Sequence, residues 1–111
     1  MNIEEAIALL TKDLDAETVS TLLDLFLTDT PEQITGMREA LVQGDLPTLG
    51  RLAHSIAGSS STFGLRELRA MALHLEETAL AGDVPSLSIQ IEALATAYEQ
   101  AVPELKRIIQ Q

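Results

Sequence analysis

Asp45-Leu46-Pro47-Thr48-Leu49-Gly50-Arg51-Leu52-Ala53-His54-Ser55-Ile56-Ala57-Gly58-Ser59-Ser60-Ser61-Thr62-Phe63-Gly64 reads as one helix with a start and a stop signal. Aspartate ahead of the first apolar residue can accept the orphan N–H groups of a helix start, and Gly64 suits the left-handed backbone of a helix end. At about 100 degrees per residue, Leu49, Leu52, Ile56, Ser59 and Phe63 fall within roughly 40 degrees of the pole opposite His54. His54 therefore faces away from the core. Gly50, Arg51, Ala57, Gly58 and Ser61 stand on its face, at spacings that make helical neighbours. All but Arg51 are tiny. An exposed glycine inside a helix costs about 1 kcal/mol relative to alanine, so Gly50 and Gly58 are choices that a solvated surface does not require. The pattern predicts a cleared patch around a projecting imidazole, against which another protein can close.

Working outward, apolar residues recur at three- and four-residue spacings nearly throughout, and the alternation of a half-buried strand is not sustained anywhere. Asn2 caps a short helix that carries Ile3, Ile7 and Leu10 on one face and stops near Thr11 to Leu14. Asp15 caps the next, with a stripe of Val19, Leu22, Leu23, Phe26 and Leu27. Pro31 interrupts that stripe. Thr30 with Gln33 also spells a capping box with proline at the first helical position, so one kinked helix and two abutting helices both satisfy the residues. The stripe resumes at Ile34, Met37 and Leu41 and ends at Gly44. Beyond Gly64, Leu65, Leu68, Met71, Ala72, Leu75 and Ala79 share a face as far as Gly82. Pro85 opens the last helix, whose stripe of Leu87, Ile91, Leu94, Tyr98 and Val102 continues to Leu105, Ile108 and Ile109, with a kink or break expected near Pro103. Short connections make successive long helices antiparallel neighbours. The expected fold is all-α, an antiparallel up-down four-helix bundle with a short extra N-terminal helix, in a single domain over residues 1–111.

Composition narrows the function. At 111 residues and 46% hydrophobic content the chain can bury one core, and with only Phe26, Phe63 and Tyr98 as aromatics that core is mainly aliphatic. The absence of cysteine removes disulfide scaffolds and thiolate metal sites. Neither histidine follows a glutamate by three residues, the pairing that carboxylate metal sites in bundles use, so no metal and no cofactor is expected. Seventeen acidic against seven basic residues, a net charge of -10, would repel nucleic acid and anionic lipid. The partners expected are proteins, with no nucleic acid and no membrane. The start, Met1-Asn2-Ile3-Glu4-Glu5, is acidic where a signal peptide is basic, which predicts a soluble cytoplasmic chain. With no second long apolar stripe, a monomer is expected. His74 reads as a boundary residue of its helix. Ser59 to Thr62 match neither a nucleophile elbow nor a phosphate loop and are expected to pack helices closely, with Ser59 and Ser60 turned inward or sideways. Glu4-Glu5 and Glu76-Glu77 read as solvated faces. No convergent acid, base and nucleophile suggest an enzyme.

The run from His54 to Gly64, followed by Leu65, Leu68 and Leu75-Glu76, resembles the histidine phosphotransfer (HPt) domain of two-component phosphorelays. Phe26 to Gln33 and Arg38 to Leu41 are similar to that family too, so the likeness covers about residues 15–82. It implies that His54 is the phospho-accepting residue, taking a phosphoryl group from a receiver-domain aspartyl phosphate and passing it to another receiver. The partners implied are response-regulator receiver domains or a hybrid sensor histidine kinase. A neutral imidazole suits the role, since one ring nitrogen keeps a lone pair that can attack phosphorus. Ile56, Gly58 to Ser60, Phe63 and Gly64 match the family pattern. Ala57 stands where the family has lysine, which leaves two readings open: Arg51, one turn earlier on the same face, supplies positive charge, or Arg51 is an ordinary surface residue. The alternative function is a protein-interaction module that binds a receiver or other signalling protein through the same face without taking phosphate.

Overall fold

Side-chain caps set the starts of the first three helices. The structure, a computed structural model, describes residues 2–110; Met1 and Gln111, at the ends of the expected domain, lie outside the described residues. The Asn2 side chain accepts from the Glu5 N–H at 2.8 Å and opens α1 (Ile3–Asp13). Asp15 accepts from Thr18 at 2.7 Å and opens α2 (Ala16–Gln43). Asp45 accepts from Thr48 at 3.2 Å and opens α3 (Leu46–Thr62). These bonds satisfy orphan amides and hold both aspartyl carboxyls below their ordinary range. Then follow α4 (Arg66–Ala81) and α5 (Val84–Ile109).

Pro31 does not divide the second helix. α2 runs through it for 28 residues, so the capping box is not used and Thr30 is buried inside the helix. Proline has no N–H to give the carbonyl four residues earlier, which here is Leu27. The Tyr98 hydroxyl, arriving from α5, donates to that carbonyl at 3.5 Å. A tertiary contact thus takes over part of what the helix lost. Burial raises the Tyr98 phenol above its ordinary pKa, and its ring stands edge-on to Phe26 at 5.7 Å. α5 likewise continues through Pro103 without a break.

α3 packs between α2 and α4, and α5 closes the ring against α4 and α2. This is the all-α up-down bundle that the spacing predicts. Leu23, Met37, Leu49, Ile56, Leu75, Leu87, Leu94 and Leu105 fill its centre. Burying each such side chain contributes about 1.5–3 kcal/mol, enough to make an aliphatic core suffice. On the outside, Arg38 of α2 makes a two-pronged ion pair with Glu92 of α5 at 2.8 and 2.9 Å. The short α1 lies against α2 and α5, and its start meets the turn after α3 at Gly64. No described helix is long and apolar enough to cross a membrane.

Candidate functional site

α3 turns Leu49, Ala53, Ile56 and Ser60 into the core. His54 consequently points out, with 72% of its side chain exposed. The ring is not left to rotate freely. Glu76, reaching across from α4, brings Oε2 to 3.0 Å and Oε1 to 3.3 Å from His54 Nδ1. A carboxylate only accepts, so in the neutral ring the proton of this bond sits on Nδ1 and the lone pair is on Nε2, facing outward. The same carboxylate faces the positive charge that the imidazole would acquire on attacking an electrophile.

The surroundings of the ring are unevenly clear. A methyl group added at Gly58 would have no neighbour within 4 Å, and Ser61 beyond it is exposed. Arg51 is exposed as well. Its Nη2 donates to Thr48 Oγ1 at 2.9 Å, so the guanidinium leans toward the start of α3 and away from His54, the direction that helix geometry favours. The expectation that Gly50 and Ala57 lie on the exposed face is corrected. Both are buried, Ala57 to 4% exposure, because α4 packs over that edge of α3 and carries Glu76 to the histidine. The open ground around His54 therefore begins on the Gly58 side.

Glu76 is the residue that the solvated-face expectation missed. Its side chain is only 25% exposed, whereas Glu77 beside it is exposed. A signal was present: Glu76 follows Ala72 by one turn and precedes Ala79 by another, both buried, so its spacing placed a carboxylate at the edge of the apolar face. Ser55, next to the histidine, accepts a bond from Gln33 Nε2 of α2 at 3.0 Å, tying both flanking helices to the site. Ser60 is buried and Ser59 half-buried, in agreement with their expected inward or sideways placement, and His74 is exposed.

The family model described as Hpt domain matches residues 21–107. The chain belongs to the Hpt domain family. A relative, phosphorelay protein LuxU of Vibrio cholerae serotype O1, is 26% identical over 97 residues, covering 87% of this chain and 86% of the relative. No solved structure matches the chain. The Hpt match spans α3 and α4 entirely, so the residue pair His54 and Glu76 falls within the shared region. In this Hpt domain Ala57 is buried, and the Arg51 guanidinium is bonded to Thr48.

Proposed function

We propose that this Hpt domain is a phosphorelay intermediate in which His54 Nε2 accepts a phosphoryl group from the aspartyl phosphate of one receiver and passes it to another. In the first step an N–P bond forms at Nε2 while the acyl O–P bond breaks and the partner's aspartate leaves as carboxylate. The Nδ1 proton stays in the bond to Glu76, which offsets the charge gained by the ring. The second step reverses this on a new aspartate. The observation that carries the reading is a largely exposed His54 ring held at Nδ1 by Glu76, beside the open ground at Gly58, which in the neutral ring leaves the lone pair to Nε2. Such transfer depends on close, nearly in-line approach, which a bare helix surface permits. The receiver supplies the carboxylates and divalent metal of its own site. Hpt domains are phosphotransfer shuttles and are generally not classed as enzymes. The reading places the chain in the cytoplasm as a monomer, serving receivers or a hybrid sensor kinase, with Arg51, Gly58 and Ser61 in the contact surface and Gly50 and Ala57 beneath its α4 edge.

Buried Ala57 favours one second reading: an interaction module that binds a receiver without taking phosphate. Incubation with a phosphorylated receiver and magnesium separates the two. Acid-labile, base-stable label that is absent from His54→Gln supports the shuttle, and a stable unlabelled complex supports the module. Gly58→Gln is expected to fold, by circular dichroism, yet accept phosphate slowly. Normal transfer by that folded variant would remove the docking surface from the proposal.

A further inference from the structure

A groove of about 510 Å³ runs on the α4 side of His54, between the first turns of α3 and the last turns of α4. Leu46, Gly50, Arg51, Glu76, Ala79 and Leu80 line it. Packing does not account for its floor. A methyl group at Gly50 would sit 3.9 Å from the Ala79 methyl, an ordinary contact, so the helices do not need glycine there. At Gly36 the same addition would come to 3.0 Å from Leu52 Cδ1. Helix propensity disfavours both glycines equally. What Gly50 achieves is to keep the groove empty.

The rim has a definite chemistry. Leu80 is 81% exposed on one side, with half-buried Leu46 across from it. Arg51 holds only the neutral Thr48 hydroxyl, and among the described residues no carboxylate lies within ion-pair distance of it. Asp45 at the start of α3 feels the Arg51 charge from beyond ion-pair distance, and most of the guanidinium's N–H donors stay open to a partner's carboxylate. A second copy of this chain would bring a further net charge of -10 and is disfavoured on that ground. Glu76, which holds the reactive ring, is a wall of the groove, so any occupant lies one side chain from His54.

We infer that this groove is a second arm of the receiver-docking surface. The receiver straddles His54, seats an apolar side chain over Gly50 between Leu46 and Leu80, and sets a neighbouring carboxylate on Arg51. The inference rests on the shuttle reading.

The test uses the full chain and an unphosphorylated receiver domain whose phosphorylated form labels the wild-type protein, with affinity measured by calorimetry. Gly50→Leu fills the groove and Leu80→Asp spoils its rim. Each is expected to weaken binding about tenfold, the size of losing one well-seated interface anchor. Arg51→Glu is expected to weaken it by a smaller factor that shrinks as salt is raised. Circular dichroism and thermal melts establish that each variant is folded, and the two surface changes at positions 51 and 80 decide the matter if Gly50→Leu does not fold. Affinities within twofold of wild type for the folded variants would overturn the inference while leaving the shuttle intact. If neither phosphorylated receivers nor phosphoramidate label wild-type His54, the shuttle reading itself fails and the inference falls with it.

Discussion

Gly64 and Gly58 stand less than two helical turns apart, yet a Cβ at one would strike the chain, while at the other it would enter an open cleft shared with Leu9 and Leu10 of α1. Gly64 has a φ of 69°, and a Cβ there would strike the Asn2 backbone and come within 2.9 Å of the Ala6 methyl. Its missing side chain is used by the fold, to bring α1 onto the turn after α3. Gly58 has an ordinary helical backbone and no neighbour for an added methyl. Its missing side chain is used by nothing within the chain. Where a helix gives up stability for space that its own protein leaves vacant, the proposed docking surface has room for a partner.

The contrast can be broken by substitution. Gly64→Ala should cost on the order of 2–4 kcal/mol in urea unfolding, combining a left-handed backbone penalty with overpacking against fixed backbone. A loss below 1 kcal/mol would mean that the α1 contact is loose. Glu76→Ala should slow labelling of His54 roughly tenfold, since a charge-assisted hydrogen bond is worth about 1.5 kcal/mol. Nitrogen-15 NMR should then show the imidazole proton shared between both ring nitrogens instead of held on Nδ1. An unchanged tautomer would separate Glu76 from the chemistry. Gly58→Ala should stabilise the protein by about 1 kcal/mol, the full helix-propensity difference, because nothing opposes the methyl. Gly36→Ala should gain less, since Leu52 must move. Equal gains would erase the distinction between glycines that the fold uses and those that it does not.

Acid should act on the helix starts and on the Arg38–Glu92 pair, whose carboxyls are all held below their ordinary range. Hydrogen bonds from Thr18 and Thr48 hold the Asp15 and Asp45 carboxyls below the unperturbed value of 3.8. Their contribution is therefore complete above that value and is lost as pH falls through the lower folded-state values. Asp15→Asn with Asp45→Asn keeps the caps and should flatten the fall in melting temperature below about pH 4. A fall as steep as that of wild type would assign the acid sensitivity elsewhere.

Helix number, order and caps were legible because each is local: Asn2, Asp15 and Asp45 precede their helices, and Gly44, Gly64 and Gly82 follow theirs. The direction of His54 was legible for the same reason, since the wheel of α3 needs no knowledge of its neighbours. What the wheel cannot give is where neighbouring helices lie around it. Gly50 and Ala57 sit on the His54 side of α3, yet α4 covers them, and that follows from a crossing between two helices rather than from either one. Glu76 was hidden by the same limit, its partner lying 22 residues away on another helix. Continuity through Pro31 was undecidable locally, because the hydroxyl that answers the orphan Leu27 carbonyl comes from Tyr98, 71 residues on.

That tyrosine has a use at the bench. The chain holds one tyrosine and no tryptophan, so its near-ultraviolet emission arises at the seam between α2 and α5. The fluorophore lies on α5, whereas the imidazole is on α3, and it reports whether that seam stays shut. Any tryptophan light in a mixture would come from the visitor, which can thus be followed without a label.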